Sequence, residues 1–406
     1  MIKNLIIVND SNYICGGEDK VAIQTANEIS QNTDINVIFF SCNYKEDENC
    51  LDPKIKQIST KQGNALDNII KGSLNGLINL KGRKKLKETL LQYNPQETIV
   101  HVHSWSKAVT SEVFDICNKN KYHCILTMHD YFIGCPNGGF FNYKKNKICK
   151  YKPLSIKCIC CNCDSRNYLF KIYRLIRQLR IKSNIKKIKN VISISNFSEQ
   201  HLIPFLSNDC DIKRIYNPID FENNIKKEAP EKSDIYLYVG RVSAEKGVDV
   251  FCEAITLSNS KGVVVGDGPS KAELQLKYPN IEFCGWKSAN DVKSIMKKAR
   301  SLIIPSKWYE GAPLTPLEAM QFGIPCISSY NNATVDYLKD NVGVIFTNID
   351  ELVNIINEFK DDKIVKKYSE NCYKYINTVW KKMNYKEELV NYYNEVLQKE
   401  GVNYEN

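Results

Sequence analysis

The sequence predicts two doubly wound α/β domains facing one another across a central cleft. Three observations carry this. Short apolar runs alternate with longer amphipathic stretches, the pattern of βαβ units around a parallel sheet. The alternation occurs in two series, separated by Asn217-Pro218-Ile219-Asp220. The first strand of each series runs into a glycine-containing segment, Gly16-Gly17 in one case and residues 240–247 in the other.

In the first series the expected strands are residues 5–8, 37–40, 99–102, 123–127 and 191–195. Each is a short run dominated by apolar residues. The second series has strands at 235–239, 262–265, 281–284, 301–304 and 325–328. Amphipathic periodicity places helices at 18–30, 107–118, 248–257 and 291–298. A polar, charged stretch follows Asp220 and runs to Asp234. The expected division is therefore residues 1–216, 217–383 and a closing helical segment 384–406, with Tyr, Leu and Val on one face. A length of 406 residues gives each domain enough chain to bury a core.

Lys and Arg number 56 against 46 Asp and Glu, a formal charge of +10. That balance suits anionic partners such as phosphates or an anionic membrane face. It equally fits a chain rich in Lys, Asn and Ile throughout. No apolar run reaches the ~20 residues needed to span a bilayer. Residues 1–8 are apolar but pass at once into Asn9-Asp10-Ser11 with no small-residue cleavage site. They read as a buried strand rather than a secretory signal, which places the chain in the cytoplasm. Most of the 16 cysteines are then expected as buried free thiols.

Several motifs bear on chemistry. Gly16-Gly17 opens a helix after the first strand, where glycine permits a sharp turn and close approach of a ligand. A plain βα turn would use the same residues. Arg241 and Lys246 stand five apart at the C-terminal end of a strand. A guanidinium fork and a mobile ammonium suit a diphosphate, while an exposed loop with ordinary charges is the other reading. Gly266-Asp267-Gly268-Pro269 is a turn by composition, placed where it can wall a nucleotide.

The richest stretch is residues 305–320. Glu310 and Glu318 would be separated by ~12 Å of rise on one helix, too far to act on one atom. Gly311, Pro313 and Pro316 break such a helix, so Glu310 belongs to a loop. Thr315-Pro316-Leu317-Glu318 matches a capping box with Pro at the first helical position. Glu318 then either caps its own helix or accepts hydrogen bonds from sugar hydroxyls beside amides that suit a phosphate. His129 ends a strand, either as a donor to a hydroxyl or phosphate or as a structural histidine.

Two further features stand apart. Cys135, Cys149, Cys158, Cys160, Cys161 and Cys163 crowd one segment. Their C-x2-C spacings suit a structural zinc with Cys135, Cys149, Cys158 and Cys161 as ligands; a reduced buried loop is the alternative. Residues 171–189 hold eight Lys or Arg and no acid, interleaved with Ile172, Leu175, Ile176, Leu179 and Ile188. This is either a basic amphipathic helix on an anionic membrane or a packed helix with a solvated face.

Together these residues resemble the family 4 retaining glycosyltransferases, which have the GT-B architecture. The carriers are GRVSAEKG, GDGP, IEFCGW and IIPSKWYEGAPLTPLEAMQFGIPCISS in the second half, with GGEDKVA, HVHSW, LTMHDYFIGCPNGGFF and NPID in the first. They span residues 5–340, and Glu310 with Glu318 resembles the family's E-x7-E pair. The resemblance implies a nucleotide-sugar donor and a glycan or lipid-linked acceptor, in surface polysaccharide synthesis. It implies that Arg241 and Lys246 bind the donor diphosphate and that Gly16 and Gly17 approach it from the other domain. Glu318 would hold the ribose, and Glu310 would face the sugar. The Leu314 and Thr315 amides and Gly266 would contact the donor, and His129 the sugar or departing phosphate. Retention by front-face attack is the expected mechanism. No D-x-D motif stands at the expected place after a strand, so a divalent metal is not implied; neither a further cofactor nor nucleic acid is expected.

The family's usual Gly-Phe-Gly after the first Glu is replaced by Gly311-Ala312-Pro313, where Pro313 lacks an N–H. Trp308-Tyr309 adds bulk at the expected sugar pocket. Two other readings remain: another GT-B enzyme, such as a nucleotide-sugar epimerase, and a zinc or nucleic-acid-binding protein. The last leaves the paired phosphate-facing loops unexplained.

Overall fold

Alternation along each strand decides which face of a sheet it covers. In the first strand Ile6 and Val8 join one buried cluster, while Leu5 and Ile7 join the cluster on the opposite face. The first strand of the second series divides in the same way, Tyr236 and Tyr238 to one side and Leu237 to the other. Both sheets are thus buried on both faces, as parallel sheets require. A computed structural model describes residues 1–61, 76–222 and 226–401. Part of the polar stretch after Asp220, and residues 402–406 of the closing segment, lie outside the described residues.

The first sheet contains β1 (Asn4–Ser11), β2 (Asn36–Asn43), β3 (Lys56–Ser59), β4 (Thr98–Val102), β5 (His123–Thr127), β8 (Asn190–Ser193) and β9 (Asp211–Arg214). All seven are parallel, in the order β3-β2-β1-β4-β5-β8-β9. Between β5 and β8 a small antiparallel hairpin forms from β6 (Phe141–Asn142) and β7 (Lys147–Ile148). The second sheet contains β10 (Ile235–Val239), β11 (Lys261–Val265), β12 (Glu282–Gly285), β13 (Ser301–Ile304), β14 (Cys326–Ser329) and β15 (Gly343–Phe346). Its order is β12-β11-β10-β13-β14-β15, again parallel. In both sheets the chain order reverses beside the first strand. The crevice beyond the strand C-termini at that point is where ligands bind in such folds.

Three outer strands, β3, β9 and β15, are absent from the sequence expectation. The edge strands Lys56-Gln57-Ile58-Ser59 and Asp211-Ile212-Lys213-Arg214 carry charge in place of an apolar run, whereas the third, Gly343-Val344-Ile345-Phe346, is apolar but only four residues long. The helix expected over 107–118 begins only at Glu112. The cause is Asp10, a buried carboxylate at the end of β1. It accepts from the N–H groups of Lys107, Ala108 and Val109 at 2.8, 2.8 and 2.7 Å, and so holds that stretch as a turn.

Helices that cover the two sheets include α1 (Gly17–Asn32), α2 (Tyr168–Ile185), α3 (Val248–Leu257), α4 (Thr315–Met320) and α5 (Tyr385–Gly401). Each buries apolar side chains in one of the clusters on the sheet faces. α5 follows the second sheet in sequence but packs on the first. Leu389, Tyr392, Tyr393 and Val396, spaced for one helical face, are buried in the same cluster as Leu5 and Ile7. The Tyr393 hydroxyl lies 2.7 Å from Nδ1 of the buried His101 on β4. Tyr392→Ala should lower the unfolding free energy by ~3 kcal/mol, read as an earlier urea midpoint. An unchanged midpoint would mean that α5 does not hold the first sheet's core.

Candidate functional site

Loops from the C-terminal ends of β1, β5, β10 and β13 meet in one cleft of about 680 Å³. Of the residues singled out from sequence, Gly16, Gly17, His129, Arg241, Lys246, Glu310, Leu314, Thr315 and Glu318 all line it. Gly266 does not. A Cβ there would sit 1.9 Å from the Gly240 carbonyl oxygen, so Gly266 serves to let two loop backbones touch. Its φ of +138° also favours glycine.

Glu310 is the centre of the second sheet's contribution. Its side chain is almost wholly buried, and one oxygen, Oε1, collects three donors. These are the Lys246 ammonium, the Ser306 hydroxyl at 2.7 Å and the Trp308 indole N–H at 3.0 Å. Burial alone pushes this carboxyl up. Lys246 and the three hydrogen bonds outweigh it, and Glu310 is held below the ordinary carboxylate range. The Lys246 ammonium also stands over the Trp308 ring, 5.2 Å from its centroid. Arg241 differs: its side chain is exposed and has no ion pair among the described residues.

Two helices start at the cleft. Gly16 is the N-cap of α1, and no side chain caps its first amides. α4 begins at Thr315 after Leu314, also without a side-chain cap. This corrects the capping-box reading of Thr315 and Glu318. Glu318 instead accepts from Lys20 of α1 at 3.0 Å, and Lys20 also reaches Asp220 at 3.4 Å. The carboxylate is drawn toward the opposite lobe because a lysine there offers a full charge.

His129 belongs to a histidine column. Its Nε2 lies 3.0 Å from Nδ1 of His103, whose ring in turn lies 4.1 Å from that of His101. Desolvation in the cleft wall lowers His129 to about 4, with Glu18 opposing, so the ring is neutral at neutral pH. Three charged lining residues carry no sequence signal of their own: Glu18, Lys107 and Asp130. Glu18 pairs with Lys107 at 2.8 Å. Burial pushes Glu18 up, but the ammonium wins and holds it low. Burial and then Glu18 push Asp130 up to about 7. Glu18 and Asp130 stand next to Gly17 and His129 in the sequence, whereas Lys107 has no such neighbour.

Trp308 and Tyr309 do line the cleft, and both also pack across it. Trp308 lies against Gly139, where a Cβ would come within 2.6 Å of the indole. Tyr309 meets Tyr131, Phe140, Phe197 and His201 in an aromatic cluster from the first lobe. The basic stretch 171–189 is helical as far as Ile185, where it forms most of α2, and this packed helix has a second, outward apolar face. Leu175 and Ile188 are buried, whereas Ile172, Ile176 and Leu179 are exposed. No described helix is long and apolar enough to cross a membrane.

Because its folded-state value is depressed, Glu310 stabilises the fold above the unfolded carboxyl pKa of ~4.3 and loses that contribution as pH falls through the folded value. Glu310→Gln should therefore cost ~2 kcal/mol at neutral pH, since it leaves Lys246 without its counter-ion. Urea titrations across pH should show the gap to wild type constant above pH ~5 and closing at more acid pH. A gap that widens on acidification would refute the ion-pair assignment.

Residues 220–378 match the family model described as glycosyl transferases group 1. A UDP-Gal:alpha-D-GlcNAc-diphosphoundecaprenol alpha-1,3-galactosyltransferase of Escherichia coli is 29% identical over 42% of this chain and 48% of its own length. The lipopolysaccharide 1,6-galactosyltransferase of Salmonella typhimurium is 33% identical over 29% of this chain and 36% of its own. The matches with these two curated relatives thus span half of each relative or less. Among solved structures, HepE of Anabaena in complex with UDP superposes with a TM-score of 0.68 at 14% identity, covering 97% of this chain and 100% of that one. Sucrose-phosphate synthase of Thermosynechococcus elongatus gives 0.71 at 15%, covering 98% and 100%. The chain has the GT-B fold of these glycosyltransferases, and its second half carries the match to glycosyl transferases group 1.

Proposed function

We propose that this chain moves a sugar from a nucleoside-diphosphate sugar to a hydroxyl of a glycan or lipid-linked acceptor, with retention, in the assembly of a surface polysaccharide. One observation carries the reading. Arg241 and Lys246, at the mouth of β10, share a single cleft with the uncapped start of α1. A diphosphate placed there meets a fork of donors, an ammonium and backbone amides. Glu318 then serves the ribose and the amides after Glu310 serve the sugar, with Pro313 contributing none. Gly266 acts behind Gly240 rather than on the donor.

In this reading the bond between the anomeric carbon and the β-phosphate oxygen stretches while the acceptor hydroxyl approaches from the same face. The hydroxyl proton passes to the departing phosphate oxygen. Negative charge grows on that phosphate, in the cleft that Arg241, Lys246 and the start of α1 share. His129, neutral and fixed by His103, offers a hydrogen bond rather than a charge to the sugar. Much of the acceleration comes from holding both reactants in place. The Escherichia coli relative is named for UDP-Gal and a diphosphoundecaprenol-linked sugar, so UDP and a lipid diphosphate are the first carriers to try.

A lipid-linked acceptor would bring the protein to a membrane surface, and α2 supplies a face for it. Leu169, Ile172, Ile176 and Leu179 follow one another at helical spacing, and all are exposed, Leu169 by 76%. Arg180, Lys182, Lys186 and Lys189 are exposed nearby, and residues 165–198 contain no acid. Exposed apolar side chains followed along the chain by exposed cations suit anionic lipid. On this reading the protein is peripheral on the inner face of the membrane.

Two measurements test these readings. UDP at 100 times its dissociation constant should add ~2.7 kcal/mol to wild-type stability, seen as a raised melting temperature. The Arg241→Ala, Lys246→Ala double variant should show no such rise. Absence of stabilisation by any nucleoside diphosphate would sink the donor-site reading. Separately, the Ile176→Glu, Leu179→Glu variant should bind phosphatidylglycerol vesicles about tenfold more weakly than wild type in co-sedimentation. Equal binding would remove α2 from the membrane contact.

A further inference from the structure

Behind the cleft wall lies a second, very small cavity of about 10 Å³. Five of the six clustered cysteines line it: Cys135, Cys149, Cys158, Cys161 and Cys163. The sixth, Cys160, is exposed and faces away. The β6–β7 hairpin brings this about. Cys135 precedes it and Cys149 follows it, while Cys158 and Cys161 flank the end of a short helix, Ile156–Cys160.

The surroundings of the sulfurs are unusual for neutral thiols, which are weak acceptors. Lys171, only 1% exposed, points its ammonium at Cys163 Sγ, 3.2 Å away, and Cys158 Sγ, 3.6 Å away. No carboxylate is among its partners in the described residues. Asn137 donates to Cys163 Sγ at 3.2 Å and Asn142 to Cys161 Sγ at 3.3 Å. Backbone N–H groups of Asn137, Gly139 and Phe140 face the Cys135 sulfur, and that of Tyr151 faces Cys149. A buried ammonium without a counter-charge is strongly unfavourable. Donors thus converge on all five sulfurs around one cavity, with a buried lysine behind two of them, and that is the setting of sulfurs that ligate a metal.

We propose that this cavity binds one zinc ion through Cys135, Cys149, Cys158 and Cys161, with Lys171 as the charge-balancing residue behind the ligands. Binding exchanges four thiol protons for Zn2+, and four thiolates on one zinc carry two net negative charges. Lys171 offsets one of them, and the amide donors spread the remainder. Among the described residues the thiols do not converge on one point at ligand distance, so the ion would tighten the loop as it binds. The consequence reaches the cleft: Asn137 and Gly138 line it, and the neighbouring Gly139 backs Trp308. The metal would staple that wall in place and take no part in bond making.

The test is metal content of the purified full-length chain, dialysed without chelator and read by atomic emission. Wild type and Cys160→Ser should each hold about one zinc per chain, and Cys135→Ser and Cys161→Ser should hold about a tenth of that or less. Should those variants misfold, cobalt exchanged into wild type decides the matter. A tetrahedral thiolate site gives strong visible and near-ultraviolet cobalt bands. Folded wild type with no bound zinc and freely titrating thiols would overturn the proposal, as would iron in its place. Equal loss of metal in Cys160→Ser would overturn the ligand assignment. Metal is read without nucleotide, so the outcome stands apart from the donor-site reading.

Discussion

A carboxylate buried as Glu310 is cannot stay ionised unless donors surround it. That constraint organises the second lobe's face of the cleft. Lys246 must come to Glu310, which fixes the loop after β10, and Ser306 and Trp308 must fold back on it, which fixes the loop after β13. The backbones are tied in parallel. The Lys307 N–H donates to the Glu245 carbonyl at 2.9 Å, and Gly247, with φ +70°, lies where a Cβ would sit 1.9 Å from the Pro305 oxygen. Glu310 itself bonds through its backbone to Asn331 and Ala333. The result is a ledge in which the two loops are tied to one another through side chains and backbone alike.

The same ledge meets the first lobe. Tyr309 enters its aromatic cluster, the Ser195 hydroxyl donates to the Gly311 carbonyl, and the Phe197 amide donates to Asp336 at 3.1 Å. Lys20 spans the cleft to Glu318. These polar contacts are individually modest. Their common effect is geometric: they set the start of α1 opposite Arg241 and Lys246, so that one ligand can touch both. Preorganisation of this kind spares a charged ligand the cost of assembling its own site.

Much of this is legible in the sequence, and the reasons for the remainder are physical. The central strands β1, β5, β10 and β13 are apolar because both their faces are buried, so composition reveals them. β3 and β9 are edges whose charged residues leave no apolar run to find. The late start of the helix at Glu112 depends on Asp10, about a hundred residues away in sequence. Local propensity contains nothing of such a contact. Glu318 misleads in the same way: its spacing from Thr315 is that of a capping box, and Lys20 wins it through tertiary proximity. Gly266 shows that a glycine in a binding loop can be required by a neighbouring backbone instead of by a ligand. The cysteines are visible as a cluster in the sequence, whereas the place of Lys171 among them is not.

The central claim is that one nucleoside diphosphate is held by both lobes at once. Hydrogen exchange by mass spectrometry, with UDP present and absent, tests it most directly. Slowed exchange is expected together in residues 16–20 and in residues 241–247 and 310–318, and absent in the Arg241→Ala, Lys246→Ala variant. Protection confined to the second lobe would contradict a shared site, and protection elsewhere would contradict the site altogether.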